Sequence, residues 1–234
     1  MTESEFIAHE ACDNCGSSDG NSAYSDGHKF CFVCQTYTPA EGEDHSHQMT
    51  TDVQFQGSAE RLQKRNISQK TCQFFRIYRD GATLRFPYNT SDGLLSGFKI
   101  KNKKKEFHYE GTATDTLFAQ HLFPSSGKRI VVTEGELDAA SCYEAMSGWP
   151  MVSLPHGASS AKKDLQKQIP LLQGYDEIVL FFDNDDAGRK AAEEAAGVLP
   201  PGKVKIARLE AYKDASDALQ DDNAEAIRKA IWNA

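Results

Sequence analysis

Two apolar runs that each stop at a carboxylate narrow the possible folds further than any other feature of this sequence. Ile130-Val131-Val132-Thr133 leads into Glu134-Gly135-Glu136-Leu137-Asp138, and Ile178-Val179-Leu180-Phe181-Phe182 leads into Asp183-Asn184-Asp185. Runs that are apolar at successive rather than alternate positions belong to strands covered on both faces, the habit of parallel sheets. Gly135 permits a sharp strand-to-helix turn after Glu134. From residue 128 onward strands and helices alternate. Strands are expected over Ile130–Thr133, Met151–Leu154, Glu177–Phe182 and Lys203–Leu209, and helices over Leu137–Met146, Ala161–Gln173 (mostly), Ala187–Val198 and Ala224–Trp232. Asp186 fits the N-cap of the alanine-rich helix. The order is that of an α/β fold, a mostly parallel sheet flanked by helices, which binds ligands at the carboxyl ends of its strands. Both acidic tips fall at that edge. Glu134, Asp183 and Asp185 are hard oxygen donors suited to a small divalent cation such as magnesium. Asp138, near the start of the following helix, and Asp214, after the last strand, can join them. His156, in the loop after the second core strand, faces the same edge.

Four of the six cysteines stand as Cys12-x2-Cys15-x15-Cys31-x2-Cys34. Paired Cys-x-x-Cys knuckles at this separation suit one tetrahedral structural zinc ion, and a disulfide framework is disfavoured in an unexported chain. Turn residues Gly16-Ser17-Ser18-Asp19-Gly20 follow the first knuckle, and Lys29–Val33 reads as a strand entering the second. So small a segment draws most of its folding energy from the metal. Residues 39–52, polar and nearly free of apolar side chains, read as a flexible linker in which His45 and His47 are solvated.

The net charge of −8 among 234 residues conceals an uneven distribution. Residues 1–52 hold ten acidic side chains and a single basic one, Lys29, whereas the rest of the chain is balanced. Arg61 to Arg79 carries six Lys/Arg and no acid, and Lys99, Lys101, Lys103, Lys104 and Lys105 add five more, making these the candidate phosphate-binding surfaces. Helices are expected over Ala59–Ile67 and Ser68–Phe75, the second capped by Ser68, and half-buried strands over Thr83–Tyr88 and Leu95–Lys101. On the second strand Lys99 and Lys101 share the face opposite Phe98 and Ile100. No apolar stretch approaches the roughly 20 residues of a membrane span, and the acidic first residues are unlike an export signal, so a cytoplasmic location is expected.

Glu134-Gly135-Glu136-x-Asp138 followed by Asp183-x-Asp185 resembles the TOPRIM signature of bacterial-type primases, topoisomerases and some nucleases. The resemblance is closer to the primase half of the phage primase-helicases of the T-seven type. It is carried in order by Cys12–Asn21, Ser25–His28, Val131–Glu136, His156–Ser159 and Asp186–Ala191, and spans nearly the whole chain. It implies a zinc ribbon-like module over 1–38, the linker over 39–52, a mixed α+β basic subdomain of the polymerase core over 53–127, and a TOPRIM catalytic subdomain with C-terminal helices over 128–234. The implied activity is that of a DNA primase, a DNA-directed RNA polymerase making short primers on single-stranded DNA from NTPs in phage replication. On this basis Glu134, Asp183 and Asp185 are the main ligands of one or two magnesium or manganese ions, with Asp138 and Asp214 as supporting acids. Lys99 and Lys105 match nucleotide-contacting lysines, with Lys101 beside them and His156 opposite. Asp26 and His28 match positions that read template bases, and Tyr24 and Phe30 add aromatic surface to the same module. A replicative helicase and a DNA polymerase are the implied partners, and the host cytoplasm the implied location of a phage-encoded chain.

A recombination mediator and a TOPRIM nuclease are the competing readings, binding DNA without making primers. Mediator cysteines normally lie close to the TOPRIM core, and here about a hundred residues intervene. Gly127-Lys128-Arg129 lacks the spacing and the Ser/Thr of a P-loop, so ATP-driven unwinding is not expected of these residues. With its last residue at Ala234, the chain is expected to be either a primase alone or the primase-length part of a longer protein.

Overall fold

The structure, a computed structural model, describes residues 5–13, 16–25, 27, 29–31, 37–38 and 56–234. The chain divides into two compact units, Met1–Thr50 and Thr51–Ala234.

In the first unit β1 (Phe6–Glu10), β2 (Asn21–Tyr24), β3 (Lys29–Cys31) and β4 (Tyr37–Thr38) form an antiparallel sheet in chain order. A tight turn follows β1, in which Gly16 N–H donates to the Cys12 carbonyl and Cys12 N–H to that of Ser17, each at 2.8 Å. Gly16 adopts φ +71° there, a conformation that favours glycine. Cys12 and Cys31 are both buried. Cys15, Cys34, Asp26, His28 and the linker with His45 and His47 lie outside the described residues.

The second unit begins with α1 (Gln69–Phe75), capped by Ser68 as expected, and the meander β5 (Tyr78–Asp80), β6 (Thr83–Asn89), β7 (Leu95–Lys101) and β8 (Phe107–Gly111). Residues Ala59–Ile67 are not the expected helix. Leu62 and Ile67 pair as a bridge around a single 3-10 turn, Gln63–Arg65, and Asn66 takes a left-handed conformation. Their apolar spacing serves a hairpin-like turn instead of a helix face.

Next come β9 (Gly127–Thr133), α2 (Glu136–Ala145), β10 (Met151–Ser153), α3 (Ala161–Lys167), α4 (Ile169–Leu172), β11 (Tyr175–Phe181), α5 (Asp186–Ala196), β12 (Val204–Ile206), α6 (Ala215–Gln220) and α7 (Ala224–Trp232). β10, β9, β11 and β12 pair in that order, all parallel, as the two-faced apolar runs require. Val131, Val179 and Phe181 enter one core with α1, α2, α6, α7 and β6; Ile130, Val132, Ile178 and Leu180 enter the other with α3, α4 and α5. The single helix expected over Ala161–Gln173 is broken where Pro170 enters the first turn of α4. The cap of α5 is Asp185, which accepts from Gly188 N–H at 2.9 Å, and Asp186 is the first helical residue.

One polar cluster ties the basic region to the α/β part and another ties the last helix to the parallel sheet. Glu144 on α2 accepts from Ser68 N–H, Ser68 Oγ and Thr71 Oγ1 at the start of α1. Arg129 on β9 donates to Glu177 and to the Ile231 carbonyl, and its guanidinium rests against both rings of the edge-on Trp149–Trp232 pair. Among the described residues, no helix is long and apolar enough to cross a membrane.

Candidate active site

Parallel register brings the two acidic tips together. Phe181 of β11 pairs with Thr133 of β9, so Glu134 and the Phe182-Asp183 segment leave the sheet side by side. Thr133 Oγ1 donates to the Gly135 carbonyl at 3.0 Å and holds the turn into α2. A Cβ at Gly135 would come within 3.0 Å of Asp138 Oδ2, and one at Gly188 would fall 2.2 Å from the Asp183 carbonyl oxygen. Both glycines therefore let backbone approach the acids. Asp138, in the first turn of α2, accepts from Ser216 N–H at 3.0 Å. Asp214 caps α6 through Asp217 N–H at 2.7 Å, as Asp185 caps α5.

Glu134, Asp138 and Asp183 are held in surroundings that resist their charge. Burial, then Asp183, raises the Glu134 pKa, and Glu134 Oε2 is buried with no hydrogen-bond partner. Burial, followed by Asp214 and Asp183, pushes Asp138 well above the ordinary carboxylate range. Burial also raises Asp183, although Lys213 opposes it. Asp185 moves the other way, lowered chiefly by the Gly188 N–H it accepts from. The Lys213 ammonium lies 2.9 Å from Asp183 Oδ2 and 3.7 Å from Asp185 Oδ2, and these contacts hold its own pKa above the ordinary lysine value. Among the described residues, no three His, Cys, Asp or Glu side chains converge closely enough, as they stand, to hold a metal ion. Their donor set nonetheless fits one: all are oxygen donors, one buried carboxylate oxygen has no partner, and a cation already sits between two of the acids.

Glu134, Asp138 and Asp183 line an open cavity of about 410 Å³ together with Lys99, His156, Phe107 and Tyr109. Lys99, expected on an open face, is only 9% exposed: its Nζ lies 2.7 Å from Glu136 Oε1 and donates to the Pro155 carbonyl at 2.9 Å. Tyr88 OH donates to the same Glu136 oxygen at 2.7 Å. The ammonium of Lys99 also lies 5.0 Å from the Phe107 ring centre, a cation–π contact shared with Lys101 at 5.4 Å. Burial and then Arg65 lower the Lys101 pKa. His156 Nδ1 lies 3.1 Å from Asp164 Oδ1, and Asp164 is buried, so the carboxylate fixes the ring. Tyr109 OH donates to the Pro155 carbonyl at 3.0 Å and braces the same loop.

Of the residues singled out in the sequence, Lys99, Glu134, Asp138, Asp183 and His156 share this cavity, with Asp185 and Asp214 capping the adjoining helices. Lys101 and the exposed Lys105, which has φ +65° in the turn after β7, do not line it. Tyr24 and Phe30 stand on β2 and β3 of the first unit. Sequence reasoning gave no role to Glu136, Tyr109, Asp164 or Lys213. Glu136 carried a signal, since an acid three residues past a buried strand needs a partner if the turn buries it, as it does here. The other three are linked to the site only by the fold.

Two family models match the chain: a zinc-binding domain of primase-helicase over residues 8–42 and a Toprim-like domain over 131–219. The DNA helicase/primase of Enterobacteria phage T3 is 42% identical over 99% of this chain, which spans 44% of that protein's length. The primase fragment of the bacteriophage T7 primase-helicase superposes with a TM-score of 0.72 at 39% identity, covering 97% of this chain and 100% of the fragment. The T7 primase domains solved with the T7 lagging-strand DNA polymerase, an RNA/DNA hybrid and dTTP give 0.70 at 39% identity, over 76% of this chain and 92% of that one.

Proposed function

The chain belongs to the family of the phage T7 and T3 primase-helicases, aligning with their primase portion, and from that premise we propose that it is a DNA primase making short RNA primers from NTPs on single-stranded DNA. The observation that carries this reading is the cavity at the carboxyl edge of the parallel sheet, where Glu134, Asp138 and Asp183 meet Lys99 and His156. Glu134, Asp183 and Asp185 would hold one or two magnesium or manganese ions, with Asp138 and Asp214 supporting them. When bound, such a cation neutralises charge developing on a phosphoryl oxygen and favours the deprotonated attacking hydroxyl.

The remaining work falls to the chain's own side chains. Lys99, fixed by Glu136 and the Pro155 carbonyl, offers a point charge to the triphosphate from the cavity wall. His156, oriented by Asp164, faces the same substrate, and Lys101 and Lys105 give backbone affinity for template or nucleotide outside the cavity. Cys12, Cys15, Cys31 and Cys34 would bind one zinc ion and so build a module in which Tyr24, Asp26, His28 and Phe30 read template bases. The polymerase seen with the T7 primase domains supports a replicative DNA polymerase as partner, and the helicase joined to primase in the T3 relative supports a helicase, with the host cytoplasm the proposed location. The named relatives favour a primase over a mediator or nuclease.

Incubation of zinc-loaded protein with magnesium, labelled NTPs and a random single-stranded DNA pool, followed by sequencing of templates and products, tests the proposal. Short oligoribonucleotides complementary to a common template motif are expected. DNA cleavage, or binding without synthesis by folded protein, would overturn it.

A further inference from the structure

Lys213 occupies the loop between β12 and α6, one residue before the cap of α6. Its backbone is anchored on one side by Asn184 N–H, which donates to the Lys213 carbonyl at 2.6 Å, and on the other by the Asp214 cap. Its side chain is 55% exposed, so a fixed backbone carries a head group with room to move. That head group rests on Asp183 Oδ2 and approaches Asp185 Oδ2, while Asp185 Oδ1 is already the acceptor for Gly188 N–H. Both oxygens of Asp185 therefore face donors of this chain.

We propose that Lys213 is a built-in counter-cation of the acidic edge, which closes Asp183 and Asp185 to divalent cations until its ammonium swings away. The proposal rests on the assignment of Asp183 and Asp185 as metal ligands above. A small divalent cation binds a carboxylate oxygen at about 2.0–2.1 Å. With the ammonium 2.9 Å from the same oxygen, the two charges would stand no more than about 5 Å apart, and their repulsion would oppose both contacts. Lys213 thus bridges the two acids and must release them for metal to enter. Its position is well chosen for this exchange, since a flexible four-carbon stem needs only rotamer changes to reach solvent or an anionic ligand.

The test is manganese binding, followed by electron paramagnetic resonance on the full chain with its zinc retained, independently of synthesis. Lys213→Met is expected to bind Mn²⁺ on the order of fivefold more tightly than the parent, the scale of one partly exposed ion pair removed as a competitor. Lys213→Gln repeats the comparison should the methionine variant fold poorly. Lys213→Arg, which keeps the charge, is expected to bind like the parent. A merely structural lysine would give weaker binding on removal, because disordered acids bind metal less well. Unchanged or weaker binding by both uncharged variants overturns the proposal, as does equal tightening by the arginine variant. Asp183→Asn separates the two levels: it is expected to abolish the competed site, and parent-like binding by that variant would remove the ligand assignment and the proposal together.

Discussion

The two units of this chain solve the folding problem by different means. In Met1–Thr50 the buried apolar side chains among the described residues are Cys12, Ala23 and Cys31, and none belongs to a core cluster. In Thr51–Ala234 a parallel sheet buries valines, isoleucines and leucines on both faces, and its helices cover two separate cores. A unit with so little apolar surface to bury must draw its stability from something else, and the zinc proposed for its cysteine knuckles would supply it. The second unit rests on its two cores and leaves its sheet edge to charge. There it tolerates half-buried acids that would rather be neutral, the usual condition of a site built for charge.

Chelation should break this contrast most sharply. Zinc removal is expected to unfold Met1–Thr50, forfeiting about 10–16 kcal/mol of binding energy typical of structural zinc sites, and to leave Thr51–Ala234 folded. Hydrogen exchange with and without chelator checks it, and loss of protection in β9 and β11 would contradict it. Next in size is Glu136→Gln. It strands the buried Lys99 ammonium, and should cost the second unit about 3–5 kcal/mol in denaturant unfolding. Adding Lys99→Met to it should recover much of that loss, whereas additive costs would mean that the pair is not coupled.

Asp138 gives a smaller, pH-dependent effect. A carboxyl with a raised folded pKa stabilises the fold while protonated in both states, and that contribution fades as pH climbs from the ordinary value of 3.8 through the folded one. The melting temperature of zinc-loaded, magnesium-free protein should therefore fall between pH 5 and pH 8, and less steeply for Asp138→Asn. Parallel profiles for the two proteins would show that Asp138 is not the group responsible. The smallest change is expected at the exposed Lys190–Glu194 pair on α5, where Lys190→Ala should shift stability by less than about 0.5 kcal/mol in the same unfolding assay.

Much of the second unit was legible because burial on both faces leaves a plain trace: the runs ending at Thr133 and Phe182 could hardly be anything but parallel strands. What escaped depended on partners distant in sequence. Lys99 alternates with Phe98 and Ile100 as an exposed residue would, yet Glu136 and Pro155 cover its face of β7. Leu62 and Ile67 looked helical by spacing because nothing local reveals a left-handed Asn66. The cap of α5 fell one residue early because consecutive aspartates offer two equivalent acceptors, and only the chain's exit from β11 selects Asp185. For the same reason Lys213 drew no attention: its importance lies in Asp183 and Asp185, about thirty residues away.

Primer synthesis by the parent protein and by Asp183→Asn, on single-stranded DNA with zinc and magnesium present, bears most directly on the claim that the acidic sheet edge performs nucleotidyl transfer. The parent should make short oligoribonucleotides, and the variant, melting like the parent, should make them at least roughly a hundredfold more slowly. Equal rates from the two proteins would contradict it.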